Sequence, residues 1–404
     1  MSYAADERDR ARERDLTALL RERIARRGGT ISFAELMEQA LYHPSLGYYS
    51  TLRGFGAEGD FVTSPELHPV FGLLLARQVA DAWEALGKPG QFRVLELGAG
   101  SGALATALLD GLAGEYPACA EAVRYVVHEV SVSLRTLQMA RLAGRNVTWE
   151  DDAPVDVCIA NEVVDALPVA RVTVRAGALV ELRVAWLDDG FQWTEAPAPA
   201  AICHYFNRLG LLPPEGAVTE VNLGLGRWVA DLARRIPRGA VFLLDYGHTA
   251  EHLYGRQQGT LLTYYQHSLG SDPLIRVGRQ DISAHVDFTT LASLASKAGF
   301  SVAGLTSQRQ LLQNLGLDAL RTALPGNADQ RALAALTDAN GLGRIGVLAL
   351  TRELPGYVPV GLSRAGRDRP VPAALPRLAP EPPPADFLDL WREAFAGEDE
   401  APSG

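Results

Sequence analysis

Lysine and cysteine are both scarce in this chain of 404 residues. Only two of the 38 basic residues are lysines, Lys88 and Lys297, so arginine carries nearly all of the positive charge. The three cysteines, Cys119, Cys158 and Cys203, are odd in number, lie far apart and form no Cys-x-x-Cys pair. This usage excludes a disulfide framework, and without a cluster of His and Cys no metal site is predicted.

Positive charge and long apolar runs are lacking as well. The net charge of −10 argues against a nucleic-acid surface and favours a cationic substrate or partner. No stretch of about 18 apolar residues exists, so no membrane span is predicted. The acidic N-terminus, with Asp6, Glu7 and Asp9, is unlike a signal peptide and fits poorly with a transit peptide. We therefore expect a cytoplasmic protein.

Three familiar catalytic motifs are absent from the sequence. It contains no Gly-x-Ser-x-Gly elbow, no Walker P-loop and no His-Glu-x-x-His. These absences argue against an α/β-hydrolase, a P-loop nucleotidase and a zinc protease of that type.

The chain is organised around residues 92–104, which read FRVLELGAGSGAL. The apolar run Val94, Leu95 and Leu97 suits a strand that is buried on both faces. Alternating glycines follow, and leucines at helical spacing come after them. A strand, a glycine turn and a helix in this order form the first unit of a doubly wound nucleotide-binding fold.

The identity of the nucleotide depends on the residue before the glycines. Gly98, Gly100 and Ala103 satisfy the spacing of a dinucleotide fingerprint, so NAD remains an alternative, as does a turn without a ligand. Glu96 would place a carboxylate beside the ligand, which suits a cation better than a pyrophosphate. The pattern Glu-x-Gly-x-Gly-x-Gly, which ends at Gly102, resembles the first motif of methyltransferases that use S-adenosylmethionine (SAM).

Acidic and amide side chains follow the next three predicted strands. Glu129 ends the second strand, where a carboxylate can accept both ribose hydroxyls, although a surface glutamate is the alternative. Asp151 follows the third strand and would accept from the adenine amino group, but its neighbour Asp152 leaves the register open. Asn161 and Glu162 end the fourth strand. Because carboxyl ends of parallel strands face the ligand crevice, we expect both beside the methyl donor.

The predicted acceptor side consists of two carboxylates and two further side chains. Glu162 can accept two donors of a guanidinium, and Asp165 can add a second contact. Either carboxylate could instead cap the following turn. Tyr246 and His248 follow the fifth strand and are substrate-site candidates, with a packed tyrosine and a hydrogen-bonded histidine as the alternatives.

Six segments together carry a more specific resemblance. In chain order they are ALYHPSLGYY (40–49), GDFVTSPE (59–66), VLELGAGSG (94–102), ANEVVDALPV (160–169), LLDYGH (243–248) and DISAHVDF (281–288). The chain thereby resembles the MidA-like family of SAM-dependent methyltransferases, whose mitochondrial members are protein arginine methyltransferases that assist assembly of respiratory complex I. The resemblance implies SAM as cofactor and arginine of a partner protein as acceptor, with a respiratory-complex subunit as a candidate partner.

Two other functions remain open from the sequence. One is methylation of a small molecule, and the other is a non-catalytic, SAM-binding assembly factor for a respiratory complex. The sequence predicts no particular oligomeric state.

The predicted fold is α/β, a Rossmann-like class I methyltransferase with a seven-stranded sheet. We expect a helical N-terminal cap (1–90), a SAM-binding core in two halves (91–169 and 223–353) and an inserted antiparallel β flap (170–222). The second half of the core contains a long polar loop (249–285) that we expect to bind substrate. A proline-rich tail (354–404) follows it.

Overall fold

The computed structural model describes residues 3–51, 63–149, 151–266 and 268–364. Its α-helices are α1 (Tyr3–Arg26), α2 (Phe33–Tyr42), α3 (Tyr48–Thr51), α4 (Ser64–Leu67), α5 (Val70–Ala85), α6 (Ala103–Glu115), α7 (Pro117–Ala122), α8 (Val132–Arg141), α9 (Ala200–Leu209), α10 (Leu225–Arg235), α11 (Ala250–Tyr254), α12 (Phe288–Lys297), α13 (Gln308–Asn314), α14 (Leu317–Ala323) and α15 (Asn327–Leu336). None of the described helices is both long and apolar enough to cross a membrane.

The strands of the described residues lie between these helices. They are β1 (Thr30–Ser32), β2 (Phe92–Leu97), β3 (Val123–His128), β4 (Val147–Trp149), β5 (Val157–Asn161), β6 (Ala170–Arg175), β7 (Ala178–Leu187), β8 (Gly190–Pro197), β9 (Val218–Val221), β10 (Gly239–Asp245), β11 (Gly247–His248), β12 (Leu262–Tyr265), β13 (Ser268–Gly270), β14 (Asp281–Ser283), β15 (Val286–Asp287), β16 (Ser301–Ser307) and β17 (Gly346–Arg352).

Seven strands form the central sheet in the order β16-β17-β10-β5-β2-β3-β4. The pairs from β10 to β4 are all parallel, whereas β17 is antiparallel to both of its neighbours. The predicted seven-stranded α/β methyltransferase sheet is confirmed. The antiparallel strand between the fifth and sixth parallel strands distinguishes it from a dinucleotide-binding sheet.

Helices cover both faces of this sheet, which explains why its central strands are apolar on both sides. Val94 belongs to the core that packs under α5 and α6, and the next residue, Leu95, belongs to the core under α10 and α12. Every residue of β10 is buried. The carboxyl ends of β2, β3, β5 and β10 consequently meet at one edge of a rigid layer.

The inserted region forms a second sheet that also takes in a strand from the N-terminal stretch. Strands β1, β7, β6 and β9 lie in that order, and β8 pairs antiparallel with β7 from Val180 to Leu187. Strand β1 pairs antiparallel with β7 through Ile31 and Val184. The N-terminal stretch, expected to be helical, therefore contributes a strand, and it packs against the insertion.

Two segments expected to be irregular contain defined structure. Residues 249–285 include α11 and a three-stranded sheet with the order β13-β12-β14. After β17 the chain packs along α5, where the Tyr357 hydroxyl donates to Asp81 at 2.7 Å and the Gly361 N–H donates to Gln78 at 2.8 Å. The rest of the predicted tail, 365–404, lies outside the described residues. The predicted division into domains remains a prediction.

Candidate functional site

A cavity of about 270 Å³ opens at the carboxyl ends of β2, β3 and β5. Six of the side chains or glycines expected from the sequence line it: Glu96, Gly98, Gly100, Glu129, Asn161 and Glu162. The aromatic rings of Tyr42, Tyr49 and Trp228 complete much of the wall. The cavity thus combines apolar walls with a few carboxylates, as ligand sites commonly do.

The glycine turn gives the cavity its floor. Gly98 has a φ of +63°, which favours glycine, and a Cβ there would lie 3.1 Å from Val163 Cγ2. Its N–H donates to the His128 carbonyl at 2.9 Å, which ties the turn to β3. Gly102 has a φ of +82° and begins α6 without lining the cavity, so it shapes the turn from outside.

Glu96 lies at the end of β2 with only 3% of its surface exposed. The Tyr125 hydroxyl donates to Glu96 Oε2 at 2.8 Å. Burial raises the pKa of Glu96 to about 8, the Tyr125 hydrogen bond opposes this, and the neighbouring Glu129 adds to it. A buried carboxyl of this kind favours a cation beside it, because the cation stabilises the ionised form.

Glu129 is oriented by a residue that the sequence reasoning missed, Gln138. Glu129 accepts the Ser131 N–H at 2.9 Å and the Gln138 amide at 3.0 Å. The same Gln138 nitrogen donates to the Gly100 carbonyl at 2.8 Å, and Trp149 Nε1 donates to Gln138 Oε1 at 3.0 Å. Burial raises the pKa of Glu129, and the hydrogen bonds from Ser131 and Gln138 lower it by a smaller amount. Gln138 therefore links the ribose candidate to the glycine turn.

We expect that replacing Glu129 with alanine weakens SAM binding by about 1.5–3 kcal/mol, or about 10- to 150-fold. The physical reason is the loss of an acceptor for the ribose hydroxyls. Calorimetric titration with SAM measures the change. The variant Gln138→Ala is the matched control, since it removes the orienting amide and keeps the carboxylate, and its loss should be smaller. Unchanged affinity in Glu129→Ala would remove Glu129 from the ribose role.

Glu162 has an unusual backbone and a constrained side chain. Its φ of +53° lies in the left-handed region, which is uncommon for a residue with a Cβ. Asn161 Nδ2 donates to Glu162 Oε1 at 3.0 Å, and the Tyr246 hydroxyl donates to Oε2 at 3.3 Å. Burial raises the pKa of Glu162 to about 8, with the charge of Asp245 acting in the same direction. The carboxylate is thereby fixed in one orientation at the cavity wall.

Asp245, at the end of β10, holds the loop that carries Glu162. The N–H groups that it accepts, with their distances, are Val163 (3.1 Å), Val164 (2.7 Å), Asp165 (3.3 Å) and Tyr246 (2.9 Å). Burial raises the pKa of Asp245 to about 6, and these backbone hydrogen bonds oppose the rise. The sequence reasoning used its neighbours in the DYGH segment and missed Asp245 itself.

Asp165 lies behind the cavity wall and is buried. Burial raises the pKa of Asp165 well above its usual range, and the nearby charges of Asp245 and Asp281 add to the rise. Tyr49, which lines the cavity, donates to Asp281 at 2.8 Å. Tyr246, also buried, donates its hydroxyl hydrogen to Glu162 and lines a separate space that His248 also lines. Acidic side chains therefore lie both at the cavity wall, as Glu162, and behind it, as Asp165 and Asp281.

Five predicted site residues do not line this cavity: Gly102, Asp165 and Tyr246 lie close around it, whereas Asp151 and His248 lie away from it. Asp151 forms an ion pair with Arg93 near the start of β2, at the edge of the sheet opposite the cavity. It lies there because the chain turns back after β4 toward the start of β5. His248 lines a separate space with Ser307 and Arg344, since β11 pairs with β15 and turns away. Neither Asp151 nor His248 is part of this site.

The cavity fits a cationic nucleoside such as SAM on its own chemistry. The carboxyl groups of Glu96 and Glu129 flank the glycine turn. Asn161 Oδ1 is buried and has no hydrogen-bond partner among the described residues, so it can accept from an ammonium. No three His, Cys, Asp or Glu side chains in the described part of the chain are arranged to hold a metal ion.

Comparison with known families agrees with this geometry. Residues 74–306 match the family model described as "Putative S-adenosyl-L-methionine-dependent methyltransferase". A solved structure from Burkholderia thailandensis, bound to S-adenosyl-homocysteine, is 35% identical and superposes with a TM-score of 0.78. That alignment covers 87% of this chain and 95% of the other.

Curated relatives extend the likeness along most of the chain. The protein arginine methyltransferase NDUFAF7 homolog of Drosophila melanogaster is 30% identical over 83% of this chain and 86% of its own length. The mouse protein arginine methyltransferase NDUFAF7 is 31% identical over 72% of each. Both are named mitochondrial, as is the human protein. These names contradict the predicted cytoplasmic location, and that prediction is wrong.

Proposed function

The chain belongs to this family of SAM-dependent methyltransferases, and from that premise we propose that it methylates an arginine nitrogen of a partner protein. The observation that carries the proposal is Glu162. Its carboxylate lies at the cavity wall, across the glycine turn from Glu129, and is oriented by Asn161 and Tyr246. The names of the NDUFAF7 relatives support the same acceptor.

The methyl donor supplies an electrophilic methyl group on a sulfonium. Glu96 and the unpartnered Asn161 Oδ1 would hold its cationic amino-acid end, and Glu129 would hold the ribose. The apolar walls exclude water from the reacting atoms. These residues bind and orient, and the remaining chemistry concerns the acceptor.

Glu162 supplies two functions to an arginine acceptor. Arginine stays protonated at neutral pH and presents a planar fork of donors, which a carboxylate oxygen pair can accept. That contact aims one nitrogen toward the donor methyl group. As the new nitrogen–carbon bond forms and the carbon–sulfur bond breaks, the acceptor nitrogen must lose a proton. The bound guanidinium favours the ionised form of Glu162, against the rise in its pKa caused by burial, so this carboxylate is the adjacent group that can receive the proton.

The test of this proposal is the position of a labelled methyl group. The protein is incubated with SAM labelled in its methyl group and with peptides that each contain one arginine, and the products are hydrolysed and separated. We expect the label in methylarginine. Label on another residue type, or only in small molecules when cell extract replaces the peptides, would contradict an arginine acceptor.

We further propose that the acceptor protein is a subunit of a respiratory complex. Support comes from the family resemblance carried by the segments GDFVTSPE and ANEVVDALPV. Purified respiratory-complex subunits, added one at a time to the labelling reaction, test this step. Methylarginine in none of them would contradict it and leave the arginine chemistry standing.

The raised pKa of Glu96 predicts that SAM binds more tightly as the pH rises. Below a pKa of about 8 the Glu96 carboxyl is mostly protonated, and a cation favours its ionised form, so binding expels a proton. We expect affinity to rise by up to about tenfold per unit between about pH 5.5 and 7, where the amino group of SAM remains charged. Calorimetry at each pH measures it.

The matched control for this pH dependence is Glu96→Gln. The variant keeps the shape of the side chain and cannot ionise, so most of the pH dependence should disappear. Glu129, whose pKa burial also raises, should account for the remainder. Equal affinity across this pH range in the native protein would mean that Glu96 does not face the cation.

A further inference from the structure

A second, larger cavity of about 570 Å³ adjoins the first between α2 and α10. Two side chains, Leu167 and Trp228, line both cavities. Leu167 ends the loop that begins with Glu162, so the two spaces adjoin on the acceptor side of the site. We call the second space the flanking groove. Its position makes it the continuation of the cavity in which an acceptor side chain would lie.

The surface of the flanking groove suits a stretch of polypeptide. Pro168, Trp228 and Leu223, the last with 43% of its surface exposed, form an apolar wall. Asn222 Oδ1 is buried and has no hydrogen-bond partner within the described residues. The side-chain amide of Asn222, which lines the groove, can form a hydrogen bond with a peptide backbone, while the apolar wall suits a side chain beside it.

The polar rim does not select for one sign of charge. Arg23 and Arg27 both pair with Glu35, at 3.4 and 3.8 Å, and Glu38, one helical turn further along α2, is exposed, so the rim carries two charges of each sign. A highly charged ligand such as a nucleic acid would gain no net electrostatic attraction from this rim. A peptide of mixed composition fits both the rim and the apolar wall.

We propose that the flanking groove binds the segment of the acceptor protein next to the methylated arginine. This proposal rests on the proposed function. The arginine side chain would enter the first cavity past Trp228, and the adjoining backbone would lie in the groove, which shares the lining residues Leu167 and Trp228 with that cavity. Contact with Asn222 and Leu223 then contributes binding energy that a free arginine cannot gain. The enzyme would thus select a protein by sequence beside the modified residue.

The test compares long and minimal acceptors in binding. Labelled peptides with one central arginine and varied flanking sequences are titrated by fluorescence anisotropy, and N-acetylarginine N-methylamide competes as the minimal acceptor. For the peptides that bind best, we expect Leu223→Asp to lose affinity by about tenfold or more, because an apolar contact is replaced by a charge. The affinity for SAM, measured by calorimetry, should stay unchanged. This unchanged affinity shows that the variant is folded.

The matched control is Leu212→Asp, the same substitution at a residue that is 53% exposed and lines neither cavity. It should bind every peptide as the native protein does. The proposal is overturned if Leu223→Asp binds the peptides as tightly as native protein, or if no peptide binds better than the minimal acceptor. The binding measurements require no methyl transfer, so they test the groove alone. A failure of the arginine proposal would appear instead in the labelling experiment, as labelled methyl groups outside methylarginine.

Discussion

Replacing Glu162 with glutamine is expected to slow methyl transfer to arginine by about 100-fold or more. The amide keeps the size of the side chain and can still accept from Asn161, whose nitrogen lies 3.0 Å from Glu162 Oε1. It cannot attract a guanidinium by charge or receive its proton. Single-turnover methylation of a bound arginine peptide measures the effect without contributions from product release.

Two measurements make the Glu162 result specific. SAM affinity should be nearly unchanged in Glu162→Gln, because the ribose and amino-acid contacts assigned to Glu129 and Glu96 remain. The variant Glu162→Asp keeps the charge on a shorter side chain and should fall between native and Gln. A rate within about threefold of native in Glu162→Gln would contradict the role assigned to this carboxylate.

Replacing Asp245 is expected to have the second large effect, on the stability of the protein and on the rate of methyl transfer. Replacing it with alanine leaves the N–H groups of the 163–165 loop without their acceptor. We expect a loss of about 2 to 4 kcal/mol in the free energy of unfolding, since each unsatisfied buried N–H costs about 1–3 kcal/mol and relief of repulsion from nearby acids offsets part of it. Denaturant unfolding measures the loss. The rate of methyl transfer should fall with it, because the loop positions Glu162.

Two variants serve as controls for Asp245→Ala: Asp245→Asn at the same position and Asp156→Asn at a distant one. Asp245→Asn removes the charge but keeps one carbonyl acceptor, so it should lose less stability than Ala. Asp156→Asn alters a carboxylate that accepts the Arg93 N–H at 2.8 Å at the opposite end of β2. That control should lower stability by about 1 kcal/mol and leave the rate unaffected. An alanine variant at 245 within 1 kcal/mol of native stability would contradict the positioning role.

Features set by neighbouring residues could be predicted from the sequence. The Ser32 hydroxyl accepts the Glu35 N–H at 3.2 Å, as the Ser-x-x-Glu pattern indicates. Asp287 caps α12 through the Thr290 N–H at 3.0 Å. Ala176 and Gly177, between two segments of alternating apolar residues, form the turn that joins β6 to β7. In each case the partner lies within a few residues, so the local pattern contains the interaction.

Features set by distant partners were missed or misplaced. Asp245 lies 82 residues from Val163, and Gln138 lies 38 residues from Gly100, so nothing in either neighbourhood indicates the hydrogen bond. Strand β1 pairs with a strand about 150 residues later. The sequence places Asp151 beside the adenine because Asp151 follows a strand. Its pairing with Arg93 depends on how the chain returns across the sheet, which only the three-dimensional arrangement determines.

The left-handed backbone of Glu162 has a consequence for engineering this protein. A residue with a Cβ at a φ of +53° carries conformational strain of about 1–3 kcal/mol, and here it also buries a carboxyl near other acids. Glycine at this position would relieve both penalties. Directed evolution that rewards heat resistance alone would therefore drift toward small residues here and enrich for durable, inert protein, so such a screen must score turnover in every round.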